Sequence, residues 1–266
     1  MAVKMVERDG VSLYSRTDGC PEPDAPTLVF AHALGTDHRV WERLLPHLPG
    51  DLRLIRYDLR GHGSSDVGPV PYRMGQMIRD AEAVCEVHEV QGATFVGLSV
   101  GGMIGQGLGV KRTDLVGALV LASTAARIGT TALWQERIDT VREKGLGGTS
   151  EAIVARWFAS KGADEADVAL WRERLEELTV DGYTATVSAI QGTDFYASTA
   201  GLRLPVLGLA GTEDRATPPD LVRETVDLVP NSRFELIKGA GHLPPVDRPK
   251  EMAALIMSFL RGLRQV

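Results

Sequence analysis

The sequence predicts an α/β fold: a mostly parallel eight-stranded sheet flanked by helices, with one helical cap inserted between two strands. Short apolar runs alternate with helix-like segments in the first half of the chain and again after residue 200. Such alternation is typical of parallel strands joined by crossover helices. Residues 125–200 break this pattern and look entirely helical. The 266 residues are enough for one large α/β domain with an insertion.

The elements before residue 125 follow from apolar runs and from the turn residues that separate them. Asp9-Gly10 marks an N-terminal hairpin, because this pair favours tight turns between strands. A helix is predicted over 39–47, followed by the Pro49-Gly50 break. Strands are predicted at 27–31, 52–57, 93–98 and 115–122, and a second helix at 74–88.

In the insertion, two sets of apolar side chains recur at helical spacing on either side of a break at 145–149. The first set is Leu133, Trp134, Ile138 and Val141, and the second is Val168, Trp171, Leu175 and Leu178. Strands at 204–210 and 233–237 and an amphipathic helix at 249–263 complete the pattern. We therefore assign 1–124 and 201–266 to the α/β core, and 125–200 to the cap.

The most informative motif is Gly-Leu-Ser-Val-Gly at 97–101, which follows the strand-like run 93–96 directly. A Gly-x-Ser-x-Gly between a strand and a helix forms a nucleophile elbow, a turn so tight that only small residues fit beside the serine. The turn holds the serine hydroxyl out above the end of the sheet. We therefore predict that Ser99 is a catalytic nucleophile.

An acid and a histidine follow in the order Ser, Asp, His. Asp214 lies in the turn after strand 204–210, and His242 lies in a glycine-rich loop after the last strand. The other histidines all precede Ser99, whereas Glu213 remains an alternative acid. This order matches that of nucleophile-elbow enzymes and differs from the orders in chymotrypsin and subtilisin. In some enzymes that use this order, the catalytic acid follows the preceding strand instead. Here that strand is the one predicted at 115–122, and no carboxylate follows it directly.

These residue types together make a serine hydroxyl reactive at neutral pH. His242 would accept the proton of Ser99 and return it to the leaving group, and Asp214 would fix the imidazole tautomer. The negative oxygen that forms on the substrate needs two backbone N–H donors. We predict these oxyanion donors to be Val100, which follows the nucleophile, and Leu34, in the loop after the third strand.

Composition and charge restrict the classes of molecule that the protein is expected to bind. The formal net charge is −6 and no basic block is present, which argues against nucleic acid and anionic membrane surfaces. The N-terminus lacks a signal-like run and no apolar run is long enough to span a membrane, so we expect a cytoplasmic protein. Two cysteines indicate neither a disulfide framework nor a metal site. We expect a small-molecule substrate, no cofactor, no metal, and a monomer or homo-oligomer.

The whole chain resembles the α/β-hydrolase family, and within it the 3-oxoadipate enol-lactonases. The stretches that carry the resemblance are 32–37, 58–63, 97–102, 124–129, 156–158 and 211–218. Of these, Thr-Ala-Ala-Arg-Ile-Gly at 124–129 and Arg-Trp-Phe at 156–158 are more typical of the lactonase branch. The chain departs from that pattern at 182–186 and 243–245. The resemblance implies an α/β-hydrolase fold and cofactor-free hydrolysis of a small enol-lactone that carries a carboxylate, in the catabolism of aromatic acids.

Substrate-binding residues are expected in the cap and in the loop that holds Leu34. Aromatic side chains can wall a small pocket, and an arginine suits a carboxylate. The candidates are His32, Arg127, Trp134, Arg137 and Trp157, with Arg156 as a further arginine. A carboxylesterase, a perhydrolase or a carbon–carbon bond hydrolase would use the same triad. A non-catalytic ligand receptor on this scaffold is an alternative that labelling of Ser99 by a fluorophosphonate would distinguish.

Overall fold

A computed structural model describes residues 2–159 and 163–263. Its strands form one eight-stranded sheet in the order β1-β2-β4-β3-β5-β6-β7-β8. They are β1 (Ala2–Arg8), β2 (Val11–Gly19), β3 (Thr27–Ala31), β4 (Arg53–Tyr57), β5 (Ala93–Leu98), β6 (Val116–Ala122), β7 (Val206–Gly211) and β8 (Arg233–Ile237). Every predicted strand is present, with small shifts at the ends, and the predicted fold class is confirmed.

The antiparallel part of the sheet lies at one edge. β1 and β2 form the predicted hairpin, with Asp9 at φ 48° and Gly10 at φ 73°. Positive φ at both central residues is the geometry of a type I′ turn, which matches the twist of the flanking strands. β2 then pairs antiparallel with β4, and every later pair is parallel.

The central strands are buried on both faces because helices cover the sheet from either side. β3, β5, β6 and β7 are almost entirely buried, as the near-continuous apolar runs of parallel strands require. Their carboxyl ends meet at one edge of the sheet. The strand order changes direction between β3 and β5, and open α/β sheets bind ligands in the crevice at such a point.

One predicted helix is wrong. In place of a helix over 39–47, the chain forms two short 3₁₀ turns, at His38–Trp41 and Leu45–His47. Pro46 has no N–H to donate, and its ring clashes with the preceding turn of an α-helix. The Asp37 carboxylate accepts the Arg39 N–H at 2.8 Å, which starts the first turn as a cap.

The remaining predicted helices are present with small shifts at their ends. The ten helices of the described residues are α1 (Met74–Val87), α2 (Val100–Lys111), α3 (Thr131–Lys144), α4 (Ser150–Val154), α5 (Glu165–Glu176), α6 (Val180–Gln191), α7 (Tyr196–Ala200), α8 (Pro219–Asp227), α9 (Pro244–Asp247) and α10 (Pro249–Gly262). In the parts of the chain that the structure describes, none of them has the length and apolar character needed to cross a bilayer.

Helices α3 to α7 lie between β6 and β7, and we refer to this segment as the cap. α3 packs beside α6, whose Tyr183, Val187 and Ile190 are buried. The sequence indicated helices at α3 and α5 but did not locate α4, α6 or α7. Residues 160–162 of the predicted cap, and residues 1 and 264–266 of the predicted core, lie outside the described residues.

Candidate active site

Ser99 lies between the end of β5 and the start of α2, at the carboxyl edge of the sheet. Its φ of 56° is rare and strained for a residue other than glycine. A Cβ on Gly97 would lie 2.3 Å from the Gly101 carbonyl oxygen, and one on Gly101 would lie 2.2 Å from the Ala31 carbonyl oxygen. Both glycines are therefore required for the turn that presents the serine.

The turn is held by the neighbouring strand and leads into a helix N-terminus. The Ser99 N–H donates to the Ala122 carbonyl at 2.9 Å, and the Thr124 hydroxyl donates to the Ser99 carbonyl at 2.6 Å. Val100 is the first residue of α2. N–H groups in the first helical turn have no intrahelical acceptor, and the helix dipole favours negative charge there. The position of Val100 is therefore suited to an oxyanion donor.

Asp214 and His242 approach the same edge from the loops after β7 and β8. The His242 Nδ1 lies 2.9 Å from one Asp214 carboxylate oxygen and 3.2 Å from the other. The Thr217 hydroxyl donates to Asp214 at 2.9 Å, and the N–H groups of Ala216 and Thr217 donate at 2.8 and 2.9 Å. With Nδ1–H donated to the carboxylate, the Nε2 of His242 is left as the ring's proton acceptor.

The charge on Asp214 is stabilised although the side chain is buried. Burial alone would raise the pKa of Asp214, but the pairing with His242 and the donors from Thr217 and Ala216 outweigh it. The pKa of Asp214 therefore lies below its ordinary value of 3.8. An ionised carboxylate at this place can orient the imidazole and stabilise an imidazolium.

The loop after β3 is fixed by two buried histidines. The His32 Nε2 accepts the Leu59 N–H at 2.9 Å, and its Nδ1 donates to the Ala33 carbonyl at 2.8 Å. The His62 Nε2 accepts the Gly35 N–H at 3.1 Å. Burial lowers the pKa of both rings, to about 3 for His62. Both rings therefore stay neutral, as acceptance of these bonds requires.

Ser99 and His242 line one cavity between the sheet edge and the cap. The space between the lining residues, open solvent included, is about 700 Å³. Five further predicted residues also line it: Leu34, Trp134, Arg137, Arg156 and Trp157. The other lining residues are Ile128, Gly129, Leu133, Ile153, Tyr183, Ile190, Ala216 and Thr217. The cap therefore supplies most of the wall that faces the serine.

Two predicted substrate contacts are corrected. His32 is fully buried and both of its ring nitrogens bond within the protein, so it supports the loop behind the cavity. Arg127 lies outside the cavity, where its guanidinium is 3.7 Å from the Asp194 carboxylate and about half of its side chain is exposed. The chain turns just after it, at Gly129 with φ 67°, so that Ile128 and Gly129 line the cavity instead.

Two guanidinium groups give the cavity wall its charge. Arg137 donates to the Tyr183 hydroxyl at 3.3 Å, and Arg156 donates to the Arg215 carbonyl at 3.1 Å. No carboxylate is found among the lining residues within the described chain. Sequence reasoning missed Tyr183, although its helical spacing to Val187 marks it as part of a buried face.

A partly buried carboxylate supports the loop that carries His242. Asp247, the last residue of α9, accepts the Gly241 N–H at 2.7 Å. Burial raises the pKa of Asp247 to about 6, although the Gly241 N–H and the Arg248 charge favour the ionised form. Because this native pKa exceeds the ordinary value of 3.8, the ionised carboxylate destabilises the folded state at neutral pH.

Asp247→Asn is expected to raise the free energy of unfolding at pH 8 by about 1–2 kcal/mol, after allowance for partial exposure. The amide oxygen can still accept the Gly241 N–H, while the buried charge is removed. The wild-type penalty develops as pH rises from about 4 to about 6, so the gain should shrink at pH 4.5. Urea unfolding at both pH values measures it, with Asp51→Asn in an exposed loop as control. An equal gain at both pH values would contradict this account.

One further acidic cluster, Asp37, His38 and Asp58, has the spacing of metal ligands. Its oxygens already accept hydrogen bonds from donors that a cation would repel. Asp58 accepts the N–H and Nδ1–H of His38 and the Ser64 N–H, and Asp37 accepts the Arg39 guanidinium. This donor set does not fit a metal, and the cluster fixes the turn after β3 and the loop after β4.

Comparisons with known proteins agree with the fold. Residues 26–249 match the family described as alpha/beta hydrolase fold. A 3-oxoadipate enol-lactonase from Acinetobacter baylyi is 29% identical over 231 residues, which cover 86% of either chain. The crystal structure of the enol-lactonase from Burkholderia xenovorans has a TM-score of 0.91 at 29% identity, covering 95% of this chain and 98% of that one.

A hydrolase from Pseudomonas aeruginosa is similar to the same degree. Its crystal structure has a TM-score of 0.90 and 31% identity, and the match covers 97% of this chain and 98% of that chain. The family match spans the sheet from just before β3 to the start of α10, and it includes Ser99, Asp214 and His242. This chain belongs to the α/β-hydrolase family.

Proposed function

We propose that the protein is a serine hydrolase that transfers an acyl group to water through Ser99, His242 and Asp214. The observation that carries the proposal is the meeting of the three loops at one cavity. There, Ser99 stands on a strained elbow and His242 is paired with an ionised Asp214. This arrangement supports nucleophilic catalysis without a metal or an organic cofactor.

The proposed reaction has two halves. His242 Nε2 takes the proton of Ser99 as its oxygen attacks the substrate carbonyl, and the N–H groups of Val100 and Leu34 receive the negative oxygen. The carbonyl carbon then loses its bond to the leaving oxygen, which takes the proton from His242. In the second half, His242 takes a proton from water as the water oxygen attacks the acyl carbon. The bond from that carbon to the Ser99 oxygen then breaks, His242 returns the proton to Ser99, and the acid is released.

We further propose that the substrate is a small enol-lactone that carries a carboxylate, such as 3-oxoadipate enol-lactone. The two enol-lactonase relatives and the positive, carboxylate-free wall formed by Arg137 and Arg156 support this substrate class. Acidic residues outnumber basic ones between 125 and 200, so the cap as a whole does not attract anions. Anion recognition is therefore local to the cavity, where a guanidinium can bind a carboxylate with two hydrogen bonds.

Arg137→Gln is expected to raise KM for a carboxylate-bearing lactone by about 10- to 100-fold, because a hydrogen bond to a charged group contributes about 1.5–3 kcal/mol. A neutral short-chain ester should be hydrolysed at the wild-type rate. Arg127→Gln removes the same charge outside the cavity and is the matched control. Steady-state kinetics on both substrates tests the prediction, and an equal loss with the neutral ester would contradict carboxylate recognition by Arg137.

The substrate class is tested by following the loss of 3-oxoadipate enol-lactone absorbance beside hydrolysis of a short-chain p-nitrophenyl ester. A strong preference for the lactone, with kcat/KM above about 10⁴ M⁻¹s⁻¹, is expected. Ester turnover without lactone turnover would keep the serine mechanism and reject the lactone. Diketone cleavage or peracid formation as the faster reaction would identify a carbon–carbon bond hydrolase or a perhydrolase. No turnover and no labelling of Ser99 would indicate a ligand receptor.

A further inference from the structure

Trp157, in the turn after α4, contacts two of the loops that build the proposed catalytic site. Its side chain is 5% exposed and lines the cavity, so it belongs to the cap wall. It also reaches beyond the cap to the core. The contacts use both its indole ring and its backbone carbonyl, and they involve different loops.

The backbone carbonyl of Trp157 holds the histidine loop. The His242 N–H donates to this oxygen at 2.7 Å. The two segments approach so closely that a Cβ on Gly241 would lie 2.4 Å from the Trp157 oxygen and 2.9 Å from the Phe158 carbonyl carbon. The backbone of the proposed general base is thus fixed to the cap, while its side chain is fixed by Asp214.

The indole ring of Trp157 packs on the loop that carries Leu34. Gly35 has φ 81°, and a Cβ there would lie 3.0 Å from the Cη2 and Cζ2 atoms of the indole and 2.9 Å from Leu175 Cδ1, so both side chains pack on it. A further constraint on Gly35 is the hydrogen bond from its N–H to His62. The ring therefore bounds the position of Gly35, the residue next to Leu34, whose N–H is the expected second oxyanion donor.

The residue before Trp157 reaches the third loop. The Arg156 guanidinium donates to the carbonyl of Arg215, which follows Asp214 directly. One dipeptide of the cap thus contacts the loops after β3, β7 and β8. A wall that served only to enclose the substrate would not need these three attachments.

We propose that Trp157 is a positioning residue, which sets the oxyanion loop through its indole and the histidine loop through its carbonyl. This inference rests on the proposed serine hydrolysis. If Trp157 has this role, the part of the cap that contains it is fixed to the loops that carry the catalytic groups. Loss of the indole should let Gly35 and the adjacent Leu34 N–H shift, and displacement of a catalytic group by about 1 Å can cost about 100-fold in rate.

The test compares Trp157→Phe with Trp171→Phe, which removes a buried indole from α5, outside the cavity lining. p-Nitrophenyl acetate and a small alkyl fluorophosphonate are the probes, because they are small and carry no carboxylate. We expect Trp157→Phe to lower kcat for the acetate and the rate of Ser99 labelling by about 10- to 100-fold, with KM changed less than about threefold. Trp171→Phe should keep both rates, whatever its effect on the unfolding midpoint.

A second variant keeps the proposal testable if Trp157→Phe folds poorly. Gly241→Ala places a methyl group against the Trp157 carbonyl, and it should lower the labelling rate by about 10-fold or more while the far-UV circular dichroism is retained. Labelling of both variants at the wild-type rate would overturn the inference, as would an effect confined to KM. If the wild-type protein itself is not labelled at Ser99, the proposed function fails, and that result differs from either outcome for the variants.

Discussion

Replacing Ser99 with alanine is expected to lower kcat for ester and lactone hydrolysis by about 10⁴- to 10⁶-fold. The hydroxyl is the atom that would bond to the acyl carbon, and none of the residues that share the cavity can replace it as a nucleophile on the same elbow. The residual rate would come from the oxyanion donors and from substrate binding. The unfolding midpoint should change little, because alanine tolerates the backbone geometry about as well as serine does.

Ser123 provides a matched control for this substitution. It directly follows the neighbouring strand β6, is buried and has a φ of 47°, so it resembles Ser99 in burial and in its positive φ. Its hydroxyl has no hydrogen-bond partner within the described residues, and it does not line the cavity. Ser123→Ala should therefore retain full activity. Steady-state kinetics on the two purified variants tests both predictions. Near-wild-type activity in Ser99→Ala would show that Ser99 is not the nucleophile.

Asp214→Asn is expected to lower kcat by about 10⁴-fold. An amide can donate its N–H to the imidazole, which favours the tautomer with the proton on Nε2 and removes the base that Ser99 needs. The amide also carries no charge to stabilise the imidazolium. Because the pKa of Asp214 lies below 3.8, its carboxylate is ionised throughout the working pH range. The loss should therefore be of similar size at pH 6 and pH 8.

Glu213→Gln tests the alternative acid and serves as the control for Asp214→Asn. Glu213 is exposed, and its backbone N–H donates to the Ala240 carbonyl at 2.9 Å, a bond that the substitution keeps. We expect wild-type kcat in this variant. If Glu213→Gln lost activity and Asp214→Asn retained it, the acid would have to be reassigned. Circular dichroism of both variants separates loss of catalysis from loss of folding.

The sheet and the three proposed catalytic residues could be predicted because their signals are local. A Gly-x-Ser-x-Gly after an apolar run constrains its own backbone, as the required glycines at 97 and 101 show. The chain order of Ser99, Asp214 and His242 is then enough to predict that the three residues meet. Parallel strands bring their carboxyl ends to one edge of the sheet, whatever the sequence distance between them.

The cap could be predicted only in outline, because its arrangement depends on contacts between distant residues. Arg127 and Arg137 are equally plausible anion ligands in the sequence, but the turn at Gly129 leaves Arg127 outside the cavity. His32 was expected to contact the substrate, but its Nε2 accepts a hydrogen bond from the Leu59 N–H instead. Nothing in the sequence around Trp157 indicates that its carbonyl faces the His242 N–H, because that contact forms only when cap and core pack together.

The most direct test of the central claim is peptide mass mapping after the folded wild-type protein has reacted with a fluorophosphonate. We expect one phosphonyl adduct, on the peptide that contains Ser99, which forms in step with the loss of esterase activity and is absent from the heat-unfolded protein. A protein that hydrolyses the ester while Ser99 stays unmodified, or that loses activity through an adduct on another residue, would contradict the proposed mechanism.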